Sequence, residues 1–167
     1  MQEIQRTLGD AYPDVTVMST SAVPSHEGCH YYHVGYLETG NRMARLLGRD
    51  LYHKAELNVE PPRIVAAQWT SPDQDSLLLT FEPDADTLHA DADVVKHTSV
   101  SDGTPVTAVQ VAGQNQLLVQ LAGPSAATTV TWRGHAYDGP WIENEAGVGA
   151  LTFFNFPIQP APRPPGG

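Results

Sequence analysis

The residues whose types and spacing could do chemistry lie in one stretch, Glu27-Gly28-Cys29-His30-Tyr31-Tyr32-His33-Val34-Gly35-Tyr36. A carboxylate three residues before a histidine, in a glycine-containing loop, suits a general base and its orienter. Such a loop can aim the imidazole into a cleft while the carboxylate holds the other ring nitrogen. Nothing in the chain announces the nucleophile. The candidates are Ser19, Ser21 and Ser25, with Cys29 beside the histidine, and Ser25 is carried forward with His30 and Glu27 as the catalytic set. A serine is activated only by a base within about 3 Å, and a loop serine is by default a solvated turn residue.

The same residues and others nearby admit different chemistry. His26, Glu27, Cys29, His30 and His33 are metal-ligand types, but zinc needs three or four converging ligands, and a His-x-x-x-His pair is persuasive on a helix rather than in a loop. Asp84, Asp86, Asp91 and Asp93 lack the glycine and closing glutamate of an EF-hand, which leaves a solvated acidic loop. No metal and no cofactor are expected. Trp69, Trp132, Tyr137 and Trp141 could form a sugar-stacking platform, against the commoner reading of buried strand aromatics.

The histidine stretch resembles the last conserved block of the SGNH (GDSL-like) esterases, especially acetylesterases related to sialate O-acetylesterase. There, Asp-x-x-His is followed by Gly-Tyr, Gly and Arg-x-Ala; the matching positions here are Glu27, His30, Gly35, Tyr36, Gly40, Arg42 and Ala44. The resemblance covers about residues 1 to 53 and implies that His30 is the catalytic base and Glu27 its orienter. Two departures stand out: Glu27 replaces the usual Asp, and no Gly-Asp-Ser nucleophile block is present, Gly9-Asp10 being followed by Ala11. The second half, with its closing Gly147-x-Gly149-Ala150-Leu151-x-Phe153-Phe154, resembles the β-sandwich that follows the catalytic domain in some of these enzymes.

The elements that must position these residues follow from periodicity. Met1, Ile4, Leu8 and Ala11 recur at helical spacing until Pro13. Val15 to Thr20 alternates and is β-branched, which predicts a strand; the resemblance makes it the last strand of a parallel sheet. From Val34 to about Leu51, Tyr36, Leu37, Met43, Ala44, Leu46, Leu47 and Leu51 form an apolar stripe, opposite Glu38, Arg42, Arg45 and Arg49. Beyond Pro61-Pro62 the period becomes two. Strands are expected over 64–70, 77–82, 94–98, 106–112, 116–122, 128–133 and 151–156, with a hairpin at Gly113 to Asn115. The predicted fold is mainly β, an antiparallel β-sandwich or small barrel preceded by a short α/β remnant of two helices and one strand. The divisions expected are 1–60, 61–157 and a frayed or extended Pro/Gly-rich tail, 158–167.

Composition limits the partners. Nine Lys and Arg against 19 Asp and Glu give a formal charge of −10, which argues against nucleic acid and anionic membranes. No apolar run approaches the roughly 20 residues a membrane span needs, and the first residues lack a signal-peptide pattern, so a soluble protein is expected, cytoplasmic by default. One cysteine allows no internal disulfide. One strand and two helices cannot bury themselves, so a homo-oligomer is expected. The function expected is a carboxylesterase or acetylesterase-like serine hydrolase acting on small or promiscuous esters, acetylated carbohydrates among them. The alternatives are a non-catalytic carbohydrate-binding accessory module and an inactive fragment of an acetylesterase.

Overall fold

Alternating apolar and polar residues from Arg63 onward build most of the molecule. The computed structural model describes residues 2–55, 58–83, 87–134 and 139–162. Among these, β1 (Arg63–Trp69), β2 (Ser76–Glu82), β3 (Leu88–Ala90), β4 (Thr98–Val100), β5 (Val106–Val111), β6 (Gln116–Leu121), β7 (Thr129–Trp132), β8 (Ile142–Asn144) and β9 (Phe153–Pro157) pair antiparallel. They form a sheet of order β1-β2-β6-β5, a second of order β4-β7-β9, and a ribbon β3-β8. Among the described residues no sheet closes on itself, so the mainly-β fold is sandwich-like rather than a barrel.

Period two places Leu77, Leu79 and Phe81 of β2 and Leu117, Val119 and Leu121 of β6 on one buried face. Val130 and Trp132 of β7 and Phe153 of β9 are buried with them. The Phe153 ring touches both Phe81 and Trp132, each at 6.3 Å between centroids, and so joins the two sheets. Each such side chain contributes about 1.5–3 kcal/mol when fully buried. The contiguous core runs from Ile64 to Phe153 and contains nothing from the first 60 residues.

Several expectations are corrected by packing. Residues 94–97 do not form the expected strand, which begins only at Thr98: Ala92–His97 is a 3-10 helix, in which Val94 is buried and Lys96 pairs with Asp93 at 2.7 Å across one turn. β3 and β8 are three residues each, too short to show a period. The tail is extended rather than frayed as far as Pro160, because Gln159 exchanges backbone hydrogen bonds with Ala67 and Trp69.

The helical N-terminal part departs further. One expected helix is two, α1 (Gln2–Arg6) and α2 (Leu8–Ala11), interrupted at Thr7, whose hydroxyl bonds back to the Glu3 and Ile4 carbonyls. Residues 15–20 form no strand and belong to no sheet. Their amides from Thr16 to Thr20 donate to no described residue, since no parallel neighbour exists for them among the described strands. The long helix, α3 (His33–Tyr52), forms where expected but lies the other way round. Of its apolar stripe only Leu46 is buried, while Arg42 from the expected solvent face is turned inward.

Candidate functional site

The loop carrying the histidine is a tight antiparallel turn. His26 bridges Tyr31, the Glu27 amide donates to the His30 carbonyl at 3.0 Å, and the Tyr32 amide donates to the Ser25 carbonyl at 2.7 Å. Gly28, at φ 93°, supplies the left-handed residue that lets the chain reverse. This geometry sets the side chains of residues 27 and 30 next to each other. His30 Nδ1 lies 3.1 Å from Glu27 Oε1. An ionised carboxylate only accepts, so Nδ1 carries the proton, and in the neutral ring Nε2 holds the lone pair of a base. The other carboxylate oxygen of Glu27 accepts from the Tyr32 hydroxyl at 3.3 Å. The pair is open to water, with side chains 71% and 53% exposed, so its Coulombic attraction is weak and its value is orientation.

Tyr32 was not singled out from the sequence. The signal was a tyrosine five residues beyond the acid, unreadable without the turn that brings it back. His26 takes the opposite tautomer: the Gly28 amide donates to its Nδ1 at 3.1 Å, which puts the ring proton of the neutral form on Nε2. Its ring packs edge-on against Tyr31 at 5.9 Å.

The loop is fastened by a residue that periodicity placed on the surface. Arg42 has a side chain 2% exposed. Its Nη1 donates to the carbonyls of Ser19 and Ser21 at 3.2 and 2.6 Å, its Nη2 to those of Ala22 and Gly147 at 3.0 and 2.8 Å, and its Nε to Glu38 at 2.8 Å. The guanidinium fork therefore ties α3, the segment before the histidine turn and the sandwich together. Gly35 completes the fit: a Cβ there would stand 2.6 Å from the Pro24 carbonyl oxygen and 2.8 Å from the Tyr31 ring. The Arg-x-Ala and Gly-Tyr elements of the sequence thus have structural work here.

His30, Cys29, His26 and Tyr31 line one wall of a cleft of about 630 Å³; the segment 15–20, Arg6, Arg133 and Thr152 line the rest. This is within the ordinary range for small-molecule sites. Among the described residues the lining contains no Asp or Glu, although the chain carries 19 of them. Ser19 and Ser21 are in the lining, as is Cys29, which is a free and exposed thiol. Ser19 is buried, its hydroxyl accepting from the Ser21 amide at 3.0 Å. Ser25, the candidate carried forward, is not in the lining. Among the described residues no serine, threonine or cysteine is hydrogen-bonded to the His30 ring. The structure brings His30 and Glu27 together and places none of the three serines in hydrogen bond with the His30 ring.

The other candidate sites dissolve into structure. Among the described residues no group of three or more His, Cys, Asp or Glu could hold a metal ion. Asp91 accepts from the Trp141 amide and Asp93 pairs with Lys96, while Asp84 and Asp86 lie outside the described residues. Trp69 and Trp132 belong to the core, so they cannot stack a sugar at the surface; Trp141 is half-buried and Tyr137 is outside the described residues. No described helix is long and apolar enough to cross a membrane. Comparison with protein-family profiles, with curated proteins and with solved structures returns no match, so this chain's function has to be argued from its own geometry.

Proposed function

We propose that the protein is a carboxylic-ester hydrolase in which His30 is the general base and Glu27 its orienter. The observation that carries this reading is the 3.1 Å pair of His30 Nδ1 with Glu27 on the wall of a cleft large enough for a small ester. With no described hydroxyl or thiol on the ring, the nucleophile in this reading is water. Nε2 takes a proton from water as its oxygen bonds to the ester carbonyl carbon; the tetrahedral intermediate then expels the alkoxide, which recovers that proton from the imidazolium. Glu27 stabilises the imidazolium and keeps the tautomer. The Arg133 guanidinium in the lining is the donor this reading assigns to the developing oxyanion. The hydroxyl groups of Thr16, Ser19, Thr20, Ser21 and Thr152 in the lining suit acetylated carbohydrates among small esters.

The test is hydrolysis of short p-nitrophenyl esters by the purified protein and its variants. His30→Ala is expected to lower kcat by about 10²–10⁴-fold, the range for loss of a general base. Ser25→Ala is expected to leave the rate unchanged, and a fluorophosphonate to label no serine. Activity indifferent to His30→Ala overturns the proposal. A labelled serine would replace water as the nucleophile while leaving His30 its role.

A further inference from the structure

The outward face of α3 carries an inference that stands independently of the hydrolase reading. Successive helical residues step by about 100°, so Tyr36, Leu37, Gly40, Met43, Ala44, Leu47 and Leu51 share one arc about a third of the circumference wide. All of them are exposed. The arc includes His33 but no Asp, Glu, Lys or Arg, in a chain of net charge −10. The helix's charged residues, Glu38, Arg42, Arg45, Arg49 and Asp50, fall outside it. An apolar stripe of this width normally faces a core, and here it faces away from the only core of the described residues.

We infer that this face is where a second copy of the chain packs, helix against antiparallel helix about a two-fold axis. The stripe is complementary to itself. An axis passing between Met43 and Ala44 sets Gly40 against the partner's Leu47, Ala44 against the partner's Met43, and Tyr36 against the partner's Leu51. Each small residue then meets a large one, and every contact occurs twice, as an isologous interface requires. Gly40 provides the room: a Cβ added there would meet nothing within 4 Å, so a neighbouring leucine can seat on the bare backbone.

The size is adequate. Tyr36, Leu37, Met43, Leu47 and Leu51 are between 45% and 64% exposed. Taking about 200 Å² for a whole large side chain, they offer roughly 500 Å² per protomer. Buried on both protomers, this area totals about 1,000 Å², the lower bound for a specific interface. The arc carries no fixed charge, so copies meeting there bring no like charges into contact, while the net charge of −10 on each opposes their approach at long range. The face also adjoins the cleft, since the Tyr36 ring packs edge-on against Tyr31 at 5.9 Å, and Tyr31 lines the cleft.

The experiment is the solution mass of the intact chain by light scattering and sedimentation at micromolar concentration, with far-UV circular dichroism to check folding. A dimer is expected. Leu47→Glu should weaken it at least about 100-fold in Kd while leaving the spectrum unchanged. Gly40→Leu should do the same by filling the seat, and Gly40→Leu combined with Leu47→Ala should restore the dimer, because large and small have merely changed places. Ala44→Cys in a Cys29→Ser background should cross-link to its own copy under mild oxidation. A monomeric native chain, a dimer that survives Leu47→Glu, or a double variant that stays monomeric would each overturn the inference. These readouts do not depend on esterase activity, so failure of one proposal is distinguishable from failure of the other.

Discussion

The two halves of this molecule are held together by opposite means. From Arg63 onward, apolar side chains point inward at period two, and the rings of Phe81, Trp132 and Phe153 lock two sheets face to face. Before that, Arg6 and Arg42 are buried while most large apolar side chains of the helices are exposed. Arg6 lies under the structure with its guanidinium 5.6 Å from the Phe156 ring, bonded to Glu3, while Ile4 is 70% exposed. Arg42 is buried among four backbone carbonyls while Leu47 and Leu51 face solvent. The difference teaches that the sandwich is stabilised by non-directional burial, whereas the histidine loop is placed by a few directional bonds. A site that needs aim rather than bulk stability is built on the second kind of support.

That contrast can be broken or sharpened by substitution. The largest effect is expected at Phe153, where truncation to Ala leaves a cavity between the sheets and should cost about 3–5 kcal/mol of global stability by chemical denaturation. Arg42→Ala removes charged hydrogen bonds from the carbonyls of Ser19, Ser21, Ala22 and Gly147, at about 3 kcal/mol. Hydrogen exchange should show that loss in residues 19–32 and α3 while the amides of β2 and β6 stay protected. Equal deprotection of both regions would show one cooperative unit and abolish the distinction.

A smaller effect, about 1–3 kcal/mol, is expected for Gly35→Ala, since the new methyl must displace the Pro24 carbonyl or the Tyr31 ring. Under the proposed mechanism it should lower ester turnover more than it lowers the melting temperature, because it shifts the loop that carries His30. The smallest concerns Asp102 in the turn after β4. Its carboxylate accepts from the Thr104 amide, the Ser125 hydroxyl and the Ala126 amide, bonds that hold its pKa down to about 2, against 3.8 ordinarily. On acidification the unfolded chain binds this proton first, so the contribution of Asp102 is complete above about pH 4 and lost as pH falls toward 2. Asp102→Asn should flatten the acid limb of the stability curve over that interval, with little change in hydrogen exchange of the N-terminal half.

Legibility followed the same divide. The strands from Arg63 to Trp69, Ser76 to Glu82 and Gln116 to Leu121 were readable because each buries one face, and alternation is the direct imprint of that burial. The hairpin at Gly113 to Asn115 was readable from turn chemistry. The same logic failed for α3. Periodicity finds an apolar stripe but not what the stripe faces, and the inward side was chosen by Arg42 reaching carbonyls 20 to 105 residues away in the chain.

At the site, the acid, the histidine and their spacing were visible in the sequence, since a four-residue turn brings positions i and i+3 together whatever surrounds it. By itself, then, the sequence determined the β-rich class, the acidic surface and the local pairing of Glu27 with His30, all of them consequences of composition or of short-range geometry. Only the tertiary structure decided that Ser25 stands outside the cleft, that Arg42 is a buried tie and that the apolar face of α3 looks outward. Those outcomes depend on which distant backbone groups come within hydrogen-bonding reach, and no local pattern encodes such a distance.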